Sequence, residues 1–256
     1  MSVSEINCVA GSNEQALTSR SVLAVVGLAF EATVLGSHAV IYEGDRSLAF
    51  IVEALGRGVR GIISFGVCGG LGPKLAPGHC LVGHSVLEGN QTYLCDPRWS
   101  NRLLRALPNA VQGIVAGVDI PFRSVEERES FHRRTGAAVV DMESQVVARL
   151  AAANNVPFAV CRVVLNPVHR TVPSAALIQI GPGGKPDLKK IGRSVLNDPR
   201  QLPKLARLSM DTAIAITQMH LVKRRLGPAM AFPLSQISSA GALTFPPIAV
   251  AEPNIV

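Results

Sequence analysis

Aromatic residues are scarce in this chain, 4% of 256, and they do not interleave with its basic residues. The stacking platform of a single-strand nucleic-acid binder is therefore missing. The basic clusters His132-Arg133-Arg134, Lys189-Lys190 and Lys223-Arg224-Arg225 are short and scattered, and read as solvated helix faces. No nucleic-acid partner is expected. Cysteine is also sparse: Cys8, Cys68, Cys80, Cys95 and Cys161 are odd in number and dispersed. No C-x-x-C occurs and no His/Cys grouping has zinc-finger spacing, which argues against a disulfide framework and a structural metal. His79 and His84 stand five residues apart on a strand-like stretch, so their side chains are expected on opposite faces. A reduced, cytoplasmic setting follows from this cysteine usage. The N-terminus lacks the pattern of a signal peptide. The longest early apolar run, Val22 to Phe30, stops at Glu31, far short of a bilayer span. Both G-x-G-x-x-G and G-K-[ST] are absent, which removes the dinucleotide and Walker readings.

What remains is an apolar, lightly charged chain. Hydrophobic residues make up 48% and charged residues 17%, with a net charge of +7. That length and composition suit one large α/β domain with a substantial core. The positive charge favours anionic substrates, acidic lipids or nucleic acid without choosing among them.

Strand-like runs are predicted at Ser21–Gly27, Val40–Tyr42, Val59–Phe65, Cys80–Leu87, Gly113–Val118, Ala137–Val140 and Phe158–Val164. They alternate with helical patterns beginning near Phe30-Glu31 and at Ser47–Gly56, Asn101–Leu107, Val125–Thr135 and Ser144–Asn154. The alternation predicts a single-domain, three-layer α/β/α fold around a mixed, mostly parallel twisted sheet. Residues 1–20 read as a polar arm, 21–227 as the domain and 228–256 as a proline-rich apolar tail. An insertion over about 167–204 carries Gly181-Pro182-Gly183-Gly184 and a short helix near Leu188–Leu196. A last helix is expected from about Leu205 to Leu226.

The most informative segment is Val139-Val140-Asp141-Met142-Glu143-Ser144. A β-branched run gives a buried strand, and Asp141 can cap a helix with Glu143 in its first turn. The pair then lies at the carboxyl edge of the sheet, where open α/β folds bind ligands. A carboxylate there can accept bonds from a sugar diol and stabilise cationic character on a ring losing its leaving group. The plainer reading is an acidic helix cap. Upstream, Ser64-Phe65-Gly66-Val67-Cys68-Gly69-Gly70-Leu71 reads as a glycine-rich strand-to-helix turn whose backbone N–H groups can approach a ligand.

These two segments, with Pro77-Gly78-His79-Cys80-Leu81-Val82 and the strand Pro157-Phe158-Ala159-Val160-Cys161-Arg162, resemble the nucleoside phosphorylase and nucleosidase superfamily over roughly residues 22–166. Asn166 to Ala176 and the stretch Asn197–Pro203 resemble a narrower branch, the hopanoid-associated phosphorylases implicated in removing adenine from adenosylhopane. The resemblance implies an enzyme cleaving the N-glycosidic bond of a purine nucleoside, by hydrolysis or phosphorolysis. It implies Glu143 on the ribose hydroxyls, Met142 against the sugar face, and Asn166 facing the base. Glu31, in Gly27-Leu28-Ala29-Phe30-Glu31, stands near the place of a water-activating glutamate, offset by one residue. Gly66, Val67, Cys68, Gly69, Asp141, Phe122 and Arg162 complete the expected substrate-binding set. Met142 as core filler and Glu31 as a first-turn helix acid are the bland alternatives.

Two positions depart from the family pattern. Where hexameric phosphorylases place an arginine and a serine for phosphate, this chain has Ser64 and Val67. Loop amides with Arg123 or Arg170 are the remaining phosphate partners, and water is favoured as acceptor. Where adenine-specific members carry an aspartic acid, this chain has Asn166, which cannot transfer a proton. A 6-oxopurine substrate, and a catalytically weakened nucleoside- or lipid-binding protein, stay open beside the leading reading. No cofactor is expected beyond inorganic phosphate as an optional co-substrate. A homo-oligomer is implied by the family, and a lipid-linked substrate would bring peripheral membrane contact. Ala175, Ala176, Leu177 and Ile178 are candidates to line a greasy 5′ pocket or a subunit interface.

Overall fold

The computed structural model describes residues 22–36, 39–42, 44–122, 124–170, 180–181, 185–186 and 188–233. Its strands are β1 (Val22–Val26), β2 (Ala39–Ile41), β3 (Gly61–Gly70), β4 (Cys80–Glu88), β5 (Gln91–Leu94), β6 (Val111–Gly117), β7 (Val139–Asp141) and β8 (Phe158–Asn166), followed by a small pair, β9 (Ile180–Gly181) and β10 (Lys185–Pro186). Its helices are α1 (Ala29–Leu35), α2 (Asp45–Gly56), α3 (Pro97–Ala106), α4 (Val125–Thr135), α5 (Ser144–Ala153), α6 (Leu188–Asn197) and α7 (Leu202–Leu226). This is the α/β fold with a mixed sheet that the strand–helix alternation predicts. The first eight strands form one sheet, ordered β2-β1-β3-β7-β6-β4-β5, and β8 pairs with both β3 and β4.

That double pairing curls the sheet. Strands β3, β7, β6, β4 and β8 each hydrogen-bond to two others in the set, so they close on themselves. The closure is narrow because glycine replaces side chains within it. A Cβ at Gly83 would lie 2.9 Å from Val160 Cβ, and one at Gly113 would lie 2.9 Å from Ala138 Cβ. One apolar cluster on the sheet joins α1, α3 and α7 through Leu35, Trp99 and Met219. A second joins α2 and α5 through Ile51, Val147 and Ala151.

Local chemistry sets the helix ends. Asp96 caps α3 by accepting from Trp99 N at 2.8 Å, with Pro97 in the first turn. Ser124 caps α4, and Gly136 closes it in the left-handed region at φ +70°. The packed body continues past α7: Met230 and Phe232 are buried, Trp99 Nε1 donates to Met230 O at 2.7 Å, and the Trp99 and Phe232 rings meet edge-on at 4.8 Å. Phe232→Ala should cost about 3 kcal/mol of unfolding free energy in urea titration.

Three sequence expectations change. The glycine segment is not a strand-to-helix turn; it is the second half of β3, held in register by β8 on one side and β7 on the other. β5, an exposed polar strand antiparallel to β4, has no apolar alternation and was not expected. The last helix starts at Leu202, with Pro203 tolerated in its first turn. Residues 171–179 and 234–256, which include the expected greasy lining and most of the tail, lie outside the described residues.

Candidate active site

The functional side chains converge because β1, β3, β7 and β8 are neighbours whose ends lie close together. Arg162 is the centre. Its residue is 0% exposed, so a charged guanidinium sits in the sheet core and must be surrounded by acceptors. Its Nη2 donates to Ser64 Oγ at 2.6 Å, to Glu143 Oε2 at 3.1 Å and to Ser144 Oγ at 3.4 Å. Its Nε lies 2.7 Å from Asp141 Oδ2, an ion pair without the alignment of a good hydrogen bond. Ser144 Oγ donates to Asp141 Oδ2 at 2.5 Å, and Asp141 Oδ1 accepts from Ser144 N at 2.9 Å. Asp141 thus starts α5 as the sequence suggests, but Glu143 occupies the N-cap position rather than the first turn.

Glu31 joins from the other side. Its Oε2 accepts from Gly27 N and Leu28 N, both at 2.8 Å, which caps its own helix. Its Oε1 accepts from Val67 N at 2.7 Å, 36 residues away in sequence. Helix acid and site acid are therefore the same group. Burial raises its pKa, against the pull of Arg162 and of the amides of Val67, Leu28 and Gly27. For Glu143, burial again dominates; Arg162 opposes it, and Asp141 and Glu31 add to it, bringing the pKa to about 7. Burial alone would weaken the Arg162 charge, yet Asp141, Glu143 and Glu31 hold the guanidinium protonated beyond its ordinary range.

Glycine makes this crowding feasible. A Cβ at Gly27 would stand 2.1 Å from Glu143 Oε1, and one at Gly66 would stand 2.4 Å from Glu31 Oε1. Gly66 also has φ +146°, which a side chain rarely adopts. Gly27→Ala should displace the Glu143 carboxylate while leaving the core alone. Steady-state kinetics should then show kcat/KM down on the order of 10²-fold, with a melting temperature near wild type.

The expected substrate set divides. The Glu143 side chain is 17% exposed, less buried than expected for a charge-stabilising group but accessible in part to a ligand. Met142 is 41% exposed, which rules out core filling and leaves it available to a ligand. Arg162 and Asp141 were expected to touch substrate; with side chains 0% and 1% exposed they order the carboxylates from beneath. Cys68 points its thiol into the core, where burial pushes its pKa well up, so only backbone is offered there. Gly69 pairs with Val140 and Asn166 in the sheet. Phe122 packs on Phe131 at 4.9 Å, in a cluster with Leu71, Ala116, Ala137 and Val140. Ser64 and Ser144 are the residues sequence reasoning left out of the network, although both lie inside the motifs that define it.

Asn166 ends β8, four positions beyond Arg162, and borders a cavity of about 190 Å³ lined by His169, Arg170, Lys204, Arg207, Leu208 and Asp211. The turn after it is pinned by buried Arg128, which donates to Pro167 O at 3.2 Å and to Arg170 O. Of the expected phosphate partners, the Val67 amide is taken by Glu31, Ser64 is fully buried under Arg162, and Arg170 is paired with Asp211. Arg123 lies outside the described residues.

A model of the phosphorylase superfamily matches residues 31–195, and this range spans the Arg162 network and Asn166. The chain belongs to the phosphorylase superfamily. Solved structures share its fold at low identity. Native futalosine hydrolase of Helicobacter pylori is 11% identical, covering 81% of this chain and 97% of its own, with a TM-score of 0.56. The methylthioadenosine/S-adenosylhomocysteine nucleosidase of the same organism is 14% identical, with 81% and 99% coverage and a TM-score of 0.54. An S-adenosylhomocysteine nucleosidase of Streptococcus pyogenes is 14% identical, with 79% and 96% coverage and a TM-score of 0.51. Among curated proteins there is no match. As a superfamily member the chain carries the family's nucleoside phosphorylase/nucleosidase fold. Among the described residues, no helix is long and apolar enough to cross a membrane.

Proposed function

We propose that this protein cleaves the N-glycosidic bond of a purine nucleoside, with water as the acceptor. The observation that carries this reading is Glu143 paired with the buried Arg162 guanidinium and still 17% exposed, with the Glu31 carboxylate close enough to feel the same charge. In the proposed reaction, Glu143 accepts hydrogen bonds from the ribose 2′- and 3′-hydroxyls, and exposed Met142 packs on the sugar. As the C1′–N9 bond lengthens, its electron pair moves to the base and positive charge grows on the ring oxygen and C1′. The Glu143 charge, in a partly water-excluded site, stabilises that charge. A water molecule then adds to C1′ and transfers a proton to Glu31, which releases it to solvent, while the departing base takes a proton up, so nucleoside and water give free sugar and neutral base. Glu31 is 1% exposed, so substrate binding has to admit water to it; its raised pKa then makes it a stronger base than an exposed glutamate.

Water is favoured over phosphate because the groups expected around phosphate are committed elsewhere: Val67 N to Glu31, Ser64 to Arg162 and Arg170 to Asp211. The names of similar proteins, two nucleosidases and one hydrolase, are in keeping with it. The substrate we favour is an adenosine enlarged at its 5′ position, adenosylhopane being the example the sequence resemblance raises.

A panel of adenosine, inosine and 5′-alkylated adenosine, assayed for free base, tests the reading. Release from at least one, abolished in Glu143→Gln, is expected. Ligand-induced thermal stabilisation with no release from any of them, adenosylhopane included, would instead identify a binding protein.

A further inference from the structure

The net charge of the chain is concentrated in one stretch. Residues 185–230 hold ten lysines and arginines against three acids, Asp187, Asp198 and Asp211, a balance of +7 that equals the net charge of all 256 residues. Within this stretch α7 has a single acid, Asp211, which is buried and ion-paired with Arg170. The outer face of α7 therefore carries no negative side chain. Its basic run divides: Lys223 Nζ donates to Val34 O at 2.7 Å on the body of the fold, whereas Arg224 and Arg225 stand exposed. Towards the other end of the helix, Arg207 is exposed as well. Among the described residues, none of these three arginines forms an ion pair.

Between those charges the outward face is apolar. Asp211, Ala215, Met219, Val222 and Leu226 are buried at helical spacing, and on the opposite side Ala206, Met210, Ala213, Ile214, Thr217 and Leu221 form an exposed row. Met210 is 68% exposed, Ile214 48% and Leu221 44%. Single exposed apolar residues are ordinary, but a helix that only covers a core presents polar residues outward, and a continuous apolar row marks a contact surface. The row from Arg207 to Arg224 is about 26 Å long. Charge decides what it meets. Two copies joined on this face about a two-fold axis would bring arginines together with no acid to offset them. Residues 234–256 of the chain are apolar but hold one charged residue, Glu252, which leaves the arginines unbalanced. Nucleic acid would answer the charges but not the row, and α7 has no aromatic side chain on which a base could stack. A bilayer with anionic headgroups answers both.

We propose that the outer face of α7 is a docking surface for an anionic lipid bilayer, with the helix lying in the plane of the interface. Met210, Ile214 and Leu221 enter the boundary between headgroups and acyl chains, while Arg207, Arg224 and Arg225 meet lipid phosphates. The arginine stems lie along the apolar surface and keep their charges at headgroup level. Either set alone gives weak, reversible attachment, and the two together add.

Co-sedimentation of the full chain with lipid vesicles tests it, comparing equal parts of phosphatidylcholine and phosphatidylglycerol with phosphatidylcholine alone. Wild type should bind the mixed vesicles, about tenfold or more above the neutral ones, and binding should weaken as salt is raised. Met210→Gln, Ile214→Gln and Leu221→Gln together leave the charge unchanged and keep a good helix former at each position. That triple variant should lose about tenfold or more in affinity for mixed vesicles. Arg224→Gln with Arg225→Gln should lower it on the order of tenfold. Melting temperatures near wild type check that both variants fold. A wild type that ignores both kinds of vesicle, or binds them equally, overturns the proposal. So does a triple variant that binds like wild type, because the attraction is then charge alone, as it would be for a nucleic acid. A triple variant whose mass in lipid-free sedimentation differs from wild type also overturns it, and makes the face a contact between copies. The readout needs no turnover, so its failure and that of the glycosidic-bond reading are separate.

Discussion

Glu143→Gln should reduce kcat by on the order of 10³-fold, with an unfolding free energy equal to or above that of wild type. The amide keeps the shape of the side chain and can still accept from Arg162 Nη2. It removes the negative charge that faces the sugar, and that charge matters most when the ring is cationic. Substrate binding should weaken less than turnover, because a neutral amide still hydrogen-bonds a diol. Stability should not suffer, since ionising Glu143 in this site is itself unfavourable: its pKa of about 7 stands above its ordinary 4.5. The same displacement predicts a pH profile. Wild-type kcat/KM should rise as pH increases through about 7, following ionisation of Glu143, and the glutamine variant should lose that limb. Stopped assays from pH 5 to 9 on both proteins would show it.

Arg162→Met should cost about 3–5 kcal/mol of stability, because removing one partner of a buried ion cluster leaves the others uncompensated. Asp141, Glu143 and Glu31 would face each other with the Ser64 and Ser144 hydroxyls as remaining polar neighbours among the groups Arg162 now joins. The loss should depend on pH, and its sign follows from linkage. A carboxyl whose folded pKa lies above its unfolded value favours the fold most below the unfolded value, and that advantage disappears as pH rises through the folded one. Burial already raises Glu31 and Glu143, and Arg162 is what opposes it. Without the guanidinium both rise further, so the variant should be most stable near pH 5 and weaken progressively towards pH 8. Urea titrations at several pH values measure this directly. Arg162→Lys should fold better than the methionine variant yet remain slow, because an ammonium cannot reach Asp141, Glu143 and Ser64 in the guanidinium's planar arrangement.

Much of this was written locally in the chain. The order of strands and helices followed from runs such as Val22–Val26 and Phe158–Asn166, where β-branched residues are buried on both faces. Asp141 and Ser144 sit in one tetrapeptide, so a cap by Asp141 was readable, whereas Glu143 at the N-cap position and the Ser144 hydroxyl on Asp141 were not. What sequence could not give was pairing at a distance. The glycine segment looked like a turn because Gly66 needs positive φ, yet bonding to β7 and β8 keeps it in the sheet. Glu31 read equally as a cap or a base; the contact with Val67 N, formed only when α1 meets β3, makes it both. The family resemblance put Arg162 in the substrate-binding set, and only its burial places it beneath the carboxylates.

The most direct test of the account is single-turnover cleavage in ¹⁸O-labelled water without phosphate, using the best nucleoside from the panel. Label at C1 of the released sugar, at a rate that added phosphate does not raise, is the predicted result. Ribose 1-phosphate as the product, with no turnover until phosphate is supplied, would contradict it and return Ser64 and the β3 backbone to the role of a phosphate site.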